Sequence, residues 1–250
     1  NQLLCGRISL FRAKRIIKKA LHLQTPISDA HAALIHNLML RYVLEFSSYP
    51  YWASRTANLL AGDTFVDIGA FRGYVSVKAA LRVGPQGKVI SIEPIRDNIV
   101  YIKAQKDAND LKQIEILESV FSANENNEVN FYRSKNQENS EVKDHINSEL
   151  DTLVLPNTRI QDLVDKIKRT GSKRVVISLT TNGTEPALLI PMLVSLRQLG
   201  IPYVEIIVPI IYVEKEIRQA IAASGLKGLI VFSKYPWLSV VMVYSNGLKK

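Results

Sequence analysis

From residue 58 onward, short apolar runs alternate with segments whose apolar residues recur every three or four positions. The short runs predict strands and the periodic segments predict helices. Strands are expected at Thr64–Ile68, Lys88–Ile92, Ile114–Leu117, 129–132, Arg174–Leu179, Tyr203–Val208, Leu229–Phe232 and 239–244. Helices are expected at 73–83, 97–107, Ile160–Thr170 and 213–223, with another opening after Thr184. Thr184 suits an N-cap, and Pro186 then falls in the first turn, where a missing N–H costs little. Gly84-Pro85-Gln86-Gly87 is a turn signal between the first helix and the second strand. Such alternation predicts an α/β fold: a Rossmann-like sheet with helices on both faces and a terminal antiparallel pair.

The first 48 residues have a different pattern. Residues 7–23 mix basic and apolar groups at roughly helical spacing, and Pro26 interrupts them. Residues 28–46 predict a second helix, with Ser28 as N-cap and Ala32, Ile35, Leu38, Met39 and Tyr42 on one face. Ser47-Ser48-Tyr49-Pro50 breaks that pattern. The chain thus divides into a basic helical extension, 1–48, and a main domain, 49–250. A polar stretch at 122–149, rich in Asn and Glu, interrupts the main domain and lies where it could help to form a pocket for an acceptor or stand as a solvated loop.

Composition narrows the function classes. The chain has 250 residues, 47% hydrophobic and 22% charged, enough to bury one sizeable core. The single cysteine, Cys5, cannot form an internal disulfide, and the four histidines lack metal-ligand spacing, so no structural metal is expected. The formal charge of +9 is uneven: Arg7, Arg12, Lys14, Arg15, Lys18 and Lys19 all precede the first acid, Asp29. This permits attraction to RNA or an anionic membrane surface, although a solvated basic helix is the plainer and preferred reading of residues 7–19. No run is apolar and long enough to cross a bilayer, and no secretory signal is evident. The expectation is a cytoplasmic protein, peripheral to a membrane if the basic helix meets lipid.

The chemistry concentrates in Phe65-Val66-Asp67-Ile68-Gly69-Ala70-Phe71-Arg72-Gly73 and in Glu93, which follows the second strand. A strand running into a glycine turn that opens a helix, then a second strand ending in a carboxylate, is the layout of a nucleotide-type cofactor site. Gly69 and Gly73 let backbone approach a ligand where a Cβ would clash. Glu93, twenty residues after Gly73, is placed to accept hydrogen bonds from the hydroxyls of a ribose. Asp67 stands two positions before the first glycine, where it can face an amino group. The turn reads Gly-Ala-x-x-Gly, unlike the Gly-x-Gly-x-x-Gly that approaches a pyrophosphate. These details favour S-adenosylmethionine over a dinucleotide, with Asp67, Gly69, Ala70, Gly73 and Glu93 as its binding residues.

The motif order between about residues 58 and 245 resembles the FkbM family of S-adenosylmethionine-dependent methyltransferases. The resemblance is carried by Asn58 through Ala70, by Val89-Ile90-Ser91-Ile92-Glu93-Pro94, and by Leu155-Pro156-Asn157-Thr158-Arg159-Ile160-Gln161-Asp162-Leu163. It implies a seven-stranded methyltransferase sheet and O-methylation of a hydroxyl on a small-molecule or glycan acceptor. One segment departs from the family. Where the family reads Lys-Ile-Asp-x-Glu-Gly-x-Glu, this chain has Ser178-Leu179-Thr180-Thr181-Asn182-Gly183-Thr184-Glu185, and Phe71 replaces the usual Asn of the glycine turn. Thr180, Asn182 and Glu185 are the candidate catalytic residues, and Glu185 is the single candidate base of that run. Its alternative role is to support the helix start. Two other functions compete: a non-catalytic binding or scaffold protein that keeps the fold, and an RNA-directed methyltransferase. Against the last, no aromatic-and-glycine RNA-binding motif or Asn-Pro-Pro-Tyr-type motif occurs.

Overall fold

The computed structural model describes residues 56, 58–134, 150–208 and 219, and the backbone of 229–232 and 239–245. The helices expected within 1–48 fall outside these residues, as does most of the helix expected at 213–223, of which Gln219 is helical and exposed.

Short, largely apolar runs become the parallel strands, which are buried on both faces except at the edge strand Ile114–Leu117. They are β1 (Thr64–Ile68), β2 (Lys88–Ile92), β3 (Ile114–Leu117), β7 (Arg174–Leu179) and β8 (Tyr203–Val208). All five residues of β1 are buried, as are the last five of β7. With β9 (Leu229–Phe232) and β10 (Ser239–Ser245) they form a seven-stranded sheet in the order β3-β2-β1-β7-β8-β10-β9. β1, β2, β3, β7 and β8 are mutually parallel, whereas β10 runs antiparallel to both β8 and β9. This is the Rossmann-like sheet expected from the sequence, and its strand order reverses beside β1.

Among the described residues, four helices flank the sheet: α1 (Tyr74–Val83), α2 (Arg96–Ala108), α3 (Ile160–Thr170) and α4 (Glu185–Gln198). In α3 the buried residues Ile160, Leu163, Val164 and Ile167 make one stripe, and Gly171 in the left-handed region ends the helix. α4 is apolar nearly all round and buries Leu188, Leu189, Met192, Leu193 and Leu196 in the main core. It also holds Pro191, whose missing N–H leaves a gap in the helical ladder at an exposed position.

A second sheet was only partly foreseen. Within and beyond the polar stretch, β4 (Val120–Ser122), β5 (Glu128–Ser134) and β6 (Leu150–Arg159) form a three-stranded sheet in the order β4-β6-β5. Pro156 sits where β6 changes partners: it pairs with β5 up to Pro156 and with β4 from Asn157. A proline is tolerated at such a break in the ladder. This sheet packs a small core of Val120, Val129 and Phe131 against Ile95.

At the amino ends of the parallel strands, a polar network closes the sheet. Arg174 Nε lies 3.2 Å from Asp63 Oδ1, and its guanidinium stacks 3.8 Å from the centroid of Tyr203. Tyr203 donates to the buried Glu205 carboxylate at 2.6 Å, and Asn58 adds a 3.1 Å bond. Burial, reinforced by Glu205, pushes the Tyr203 phenol up to about 12. The opposite ends of the strands are thereby left for chemistry.

Candidate functional site

Parallel register aligns the carboxyl ends of three strands. Ile68 pairs with Ile92 on one side and with Leu179 on the other, so the next residues, Gly69, Glu93 and Thr180, converge. A cleft of about 290 Å³ opens there, as expected beside the carboxyl ends of a parallel sheet.

Asp67, Gly69, Ala70 and Glu93 line the cleft. Asp67 is 1% exposed, and its Oδ2 accepts a 2.6 Å bond from the Ser76 hydroxyl of α1. Ser91 of β2 donates in turn to Ser76 at 2.8 Å, so three elements fix this carboxylate. Glu93 is held on both oxygens: Phe71 N–H donates to Oε2 at 2.8 Å, and Ile95 N–H and the Asn98 amide each donate to Oε1 at 3.0 Å. Burial pushes the Glu93 carboxyl up to about 7. The Asp67 charge adds to this, and the donors from Asn98, Ile95 and Phe71 oppose it. A carboxylate offers about four lone-pair sites, so Glu93 retains about one on Oε2.

Both glycines are required, for reasons the sequence did not show. Gly69 has φ 75°, and a Cβ there would lie 1.9 Å from the Thr180 carbonyl oxygen. Gly73 has φ 80°, and its Cβ would meet Ile102 of α2 at 3.0 Å. The close neighbours are therefore protein atoms; Gly73 sits at the N-cap of α1 and is not part of the cleft wall. Phe71 adopts φ 53°, a left-handed conformation uncommon for a bulky residue, and this aims its N–H at Glu93. Its ring stands 5.2 Å from the Arg72 guanidinium, which also lies 4.8 Å from the Tyr101 ring.

The loop after β7 is built around Glu185. Its Oε1 accepts from Thr181 N–H and its Oε2 from Gly183 N–H, each at 2.7 Å, and the residue is 3% exposed. The clamp holds Asn182 at φ 54° and Gly183 at φ 112°. Thr180 and Asn182 reach the cleft wall, and Glu185 lies behind it. The hydroxyls of Thr180 and Thr181 are shielded from solvent and have no hydrogen-bond partner among the described residues.

Sequence reasoning missed Thr181, Ser119, Phe121 and Phe131, which also line the cleft. The last two come from β4 and β5, and the alternation Val129-Asn130-Phe131 was the available signal for an inward-facing Phe131. Among the described residues, no cluster of His, Cys, Asp and Glu could hold a metal ion. No helix among them is long and apolar enough to cross a membrane.

No family model matches the sequence. Among curated proteins, it is similar to a probable cobalt-precorrin-6B C(15)-methyltransferase (decarboxylating) of Sulfurisphaera tokodaii. The two are 28% identical over 197 residues, covering 76% of this chain and 83% of the relative. The protein of the same description from Sulfolobus acidocaldarius is 28% identical over 188 residues, covering 72% and 79%. Among solved structures, a SAM dependent methyltransferase from Aquifex aeolicus matches at TM-score 0.44 and 16% identity, covering 92% of this chain and 96% of that one. A precorrin-6y C5,15-methyltransferase from Geobacter metallireducens matches at TM-score 0.46 and 12% identity, covering 79% and 86%. The chain is thus similar, along most of its length, to proteins described as methyltransferases.

Proposed function

We propose that this protein is an S-adenosylmethionine-dependent methyltransferase whose cofactor occupies the cleft at the ends of β1, β2 and β7. The observation that carries this reading is the convergence of Asp67, the Gly69-Ala70 turn and Glu93 on one cleft. The fit is supported by the shielded, unpartnered hydroxyls of Thr180 and Thr181 in the same wall. Glu93 would hold the ribose through Oε2, and Asp67 the ammonium of the methionine moiety. The chemistry the cofactor supplies is an electrophilic methyl group on a sulfonium.

The chain's own contribution is positioning, the largest lever available when two reactants need only be aligned. Asn182 orients the acceptor from the β7 loop, and Glu185 acts as a positioning residue that fixes that loop. The acceptor is a hydroxyl of a small molecule or glycan, as the resemblance to the FkbM family implies. The printed name of the two curated relatives instead specifies a carbon position, and their 28% identity keeps a carbon acceptor as the second reading. A binding module without turnover is the third, favoured by the commitment of the Glu185 carboxylate to loop amides.

The test is calorimetry with S-adenosylmethionine, followed by a radiolabelled methyl-transfer screen over hydroxyl, carbon and RNA acceptors. Absence of cofactor binding by the folded protein would reject the reading. Binding with transfer to carbon or RNA would replace the hydroxyl acceptor. Binding without transfer would favour the module.

A further inference from the structure

We propose that the hydroxyls of Thr180 and Thr181 form the subsite for the carboxylate of the cofactor's amino-acid end. The assignment rests on the reading that S-adenosylmethionine occupies the cleft, and it concerns two hydroxyls for which the described residues supply no partner. Both Oγ1 atoms are shielded from solvent and lack a partner among the described residues, although both residues line the cleft. A buried hydroxyl without a partner is costly, so its usual explanation is a group that arrives from outside.

The neighbouring groups indicate which one. Asp67 pairs in register with Ser178 on the adjacent strand, so Thr180 lies two residues beyond it along β7. The backbones touch at this point: Thr180 N–H donates to Ile68 O at 3.0 Å, and the Thr180 carbonyl fills the space where a Gly69 Cβ would stand. An α-amino acid carries its ammonium and carboxylate on one carbon. A carboxylate on one strand end and two hydroxyl donors on the next match that pair of charges. The remaining nearby carboxylate, Glu185, is turned into the loop, where two amides and the start of α4 offset its charge. The same clamp fixes the backbone of Thr181. Each threonine would donate a charge-assisted O–H bond to a ligand carboxylate oxygen.

Isothermal titration of the full chain with S-adenosylmethionine and with its decarboxylated form tests this, because the two differ only in the carboxylate. Wild type should bind the decarboxylated form at least about tenfold more weakly. Thr180→Val and Thr181→Val should each weaken S-adenosylmethionine by about tenfold and leave the decarboxylated form within twofold. Thr→Ser at either position should restore wild-type affinity. Equal affinity of wild type for the two ligands overturns the proposal, even if the valine variants fail to fold. Equal losses for both ligands in folded valine variants overturn it as well. Failure of wild type to bind either ligand would reject the cofactor reading itself, whereas wild-type affinity for S-adenosylmethionine in both valine variants would reject the carboxylate subsite alone.

Discussion

At the scale of single residues, Glu93 and Gly69 show how much of the site is fixed before a ligand arrives. Burial lifts the Glu93 carboxyl from 4.5 to about 7, so the fold favours its protonated form. The sign follows: this stability contribution is complete below about pH 4.5 and is lost as pH rises through about 7. The loss is at most about 3 kcal/mol at 1.36 kcal/mol per unit. Glu93→Gln should therefore flatten the dependence of urea midpoints on pH across that window. Ribose hydroxyls donate to the ionised carboxylate, so S-adenosylmethionine affinity should rise with pH through neutrality in calorimetry, and Glu93→Ala should remove roughly 1.5–3 kcal/mol of binding. Gly69 makes a sharper steric prediction. Gly69→Ala drives a Cβ to 1.9 Å from the Thr180 oxygen, while Gly62→Ala meets open space at a similar φ of 84°. In chemical denaturation the first should cost more than about 4 kcal/mol and the second about 1 kcal/mol.

At the scale of elements, the loop between β7 and α4 depends on a clamp rather than on propensity. Glu185→Gln replaces one accepting oxygen with a donor and leaves one buried N–H of Thr181 or Gly183 unpaired. A stability loss of about 1–3 kcal/mol is expected, read as a lower thermal midpoint. If the carboxylate also served as a base, turnover would fall a further 10²–10⁴-fold beyond any loss of folded protein. The central strands of the main sheet were legible because burial on both faces writes itself as short, largely apolar runs, as in Thr64–Ile68 and Arg174–Leu179. β6 was not legible: it is half-exposed, carries Pro156, and takes its order from two partners rather than from its own pattern. That gap hid Phe121 and Phe131 from the site. Asp67 and Glu93 could be read from their positions at strand ends, but the role of Glu185 could not. A carboxylate at a helix start looks the same in sequence whether it faces a cleft or its own loop.

At the scale of the whole molecule, charge and rigidity have separate consequences. The basic cluster from Arg7 to Lys19 lies outside the described residues, so its prediction rests on charge alone. Replacing Arg12, Lys14, Arg15, Lys18 and Lys19 with Gln should reduce retention on RNA or anionic vesicles at low salt, with the difference vanishing near 1 M salt. Cofactor affinity should not change. The contact between Gly69 and the Thr180 carbonyl bears on motion. Two loops that lack even the room for a methyl group between them cannot serve as opposing lips of a gate. The β1 and β7 ends form a single floor, and any widening of the cleft must come from the walls beyond it, which include Phe121 and Phe131. Deuterium uptake should separate the two behaviours. The amides of Gly69 and Thr180, bonded to Ile92 O and Ile68 O, should exchange slowly with or without ligand, whereas protection gained on binding should concentrate in residues 119–131. Equal gains on both sides would mean that the floor itself breathes.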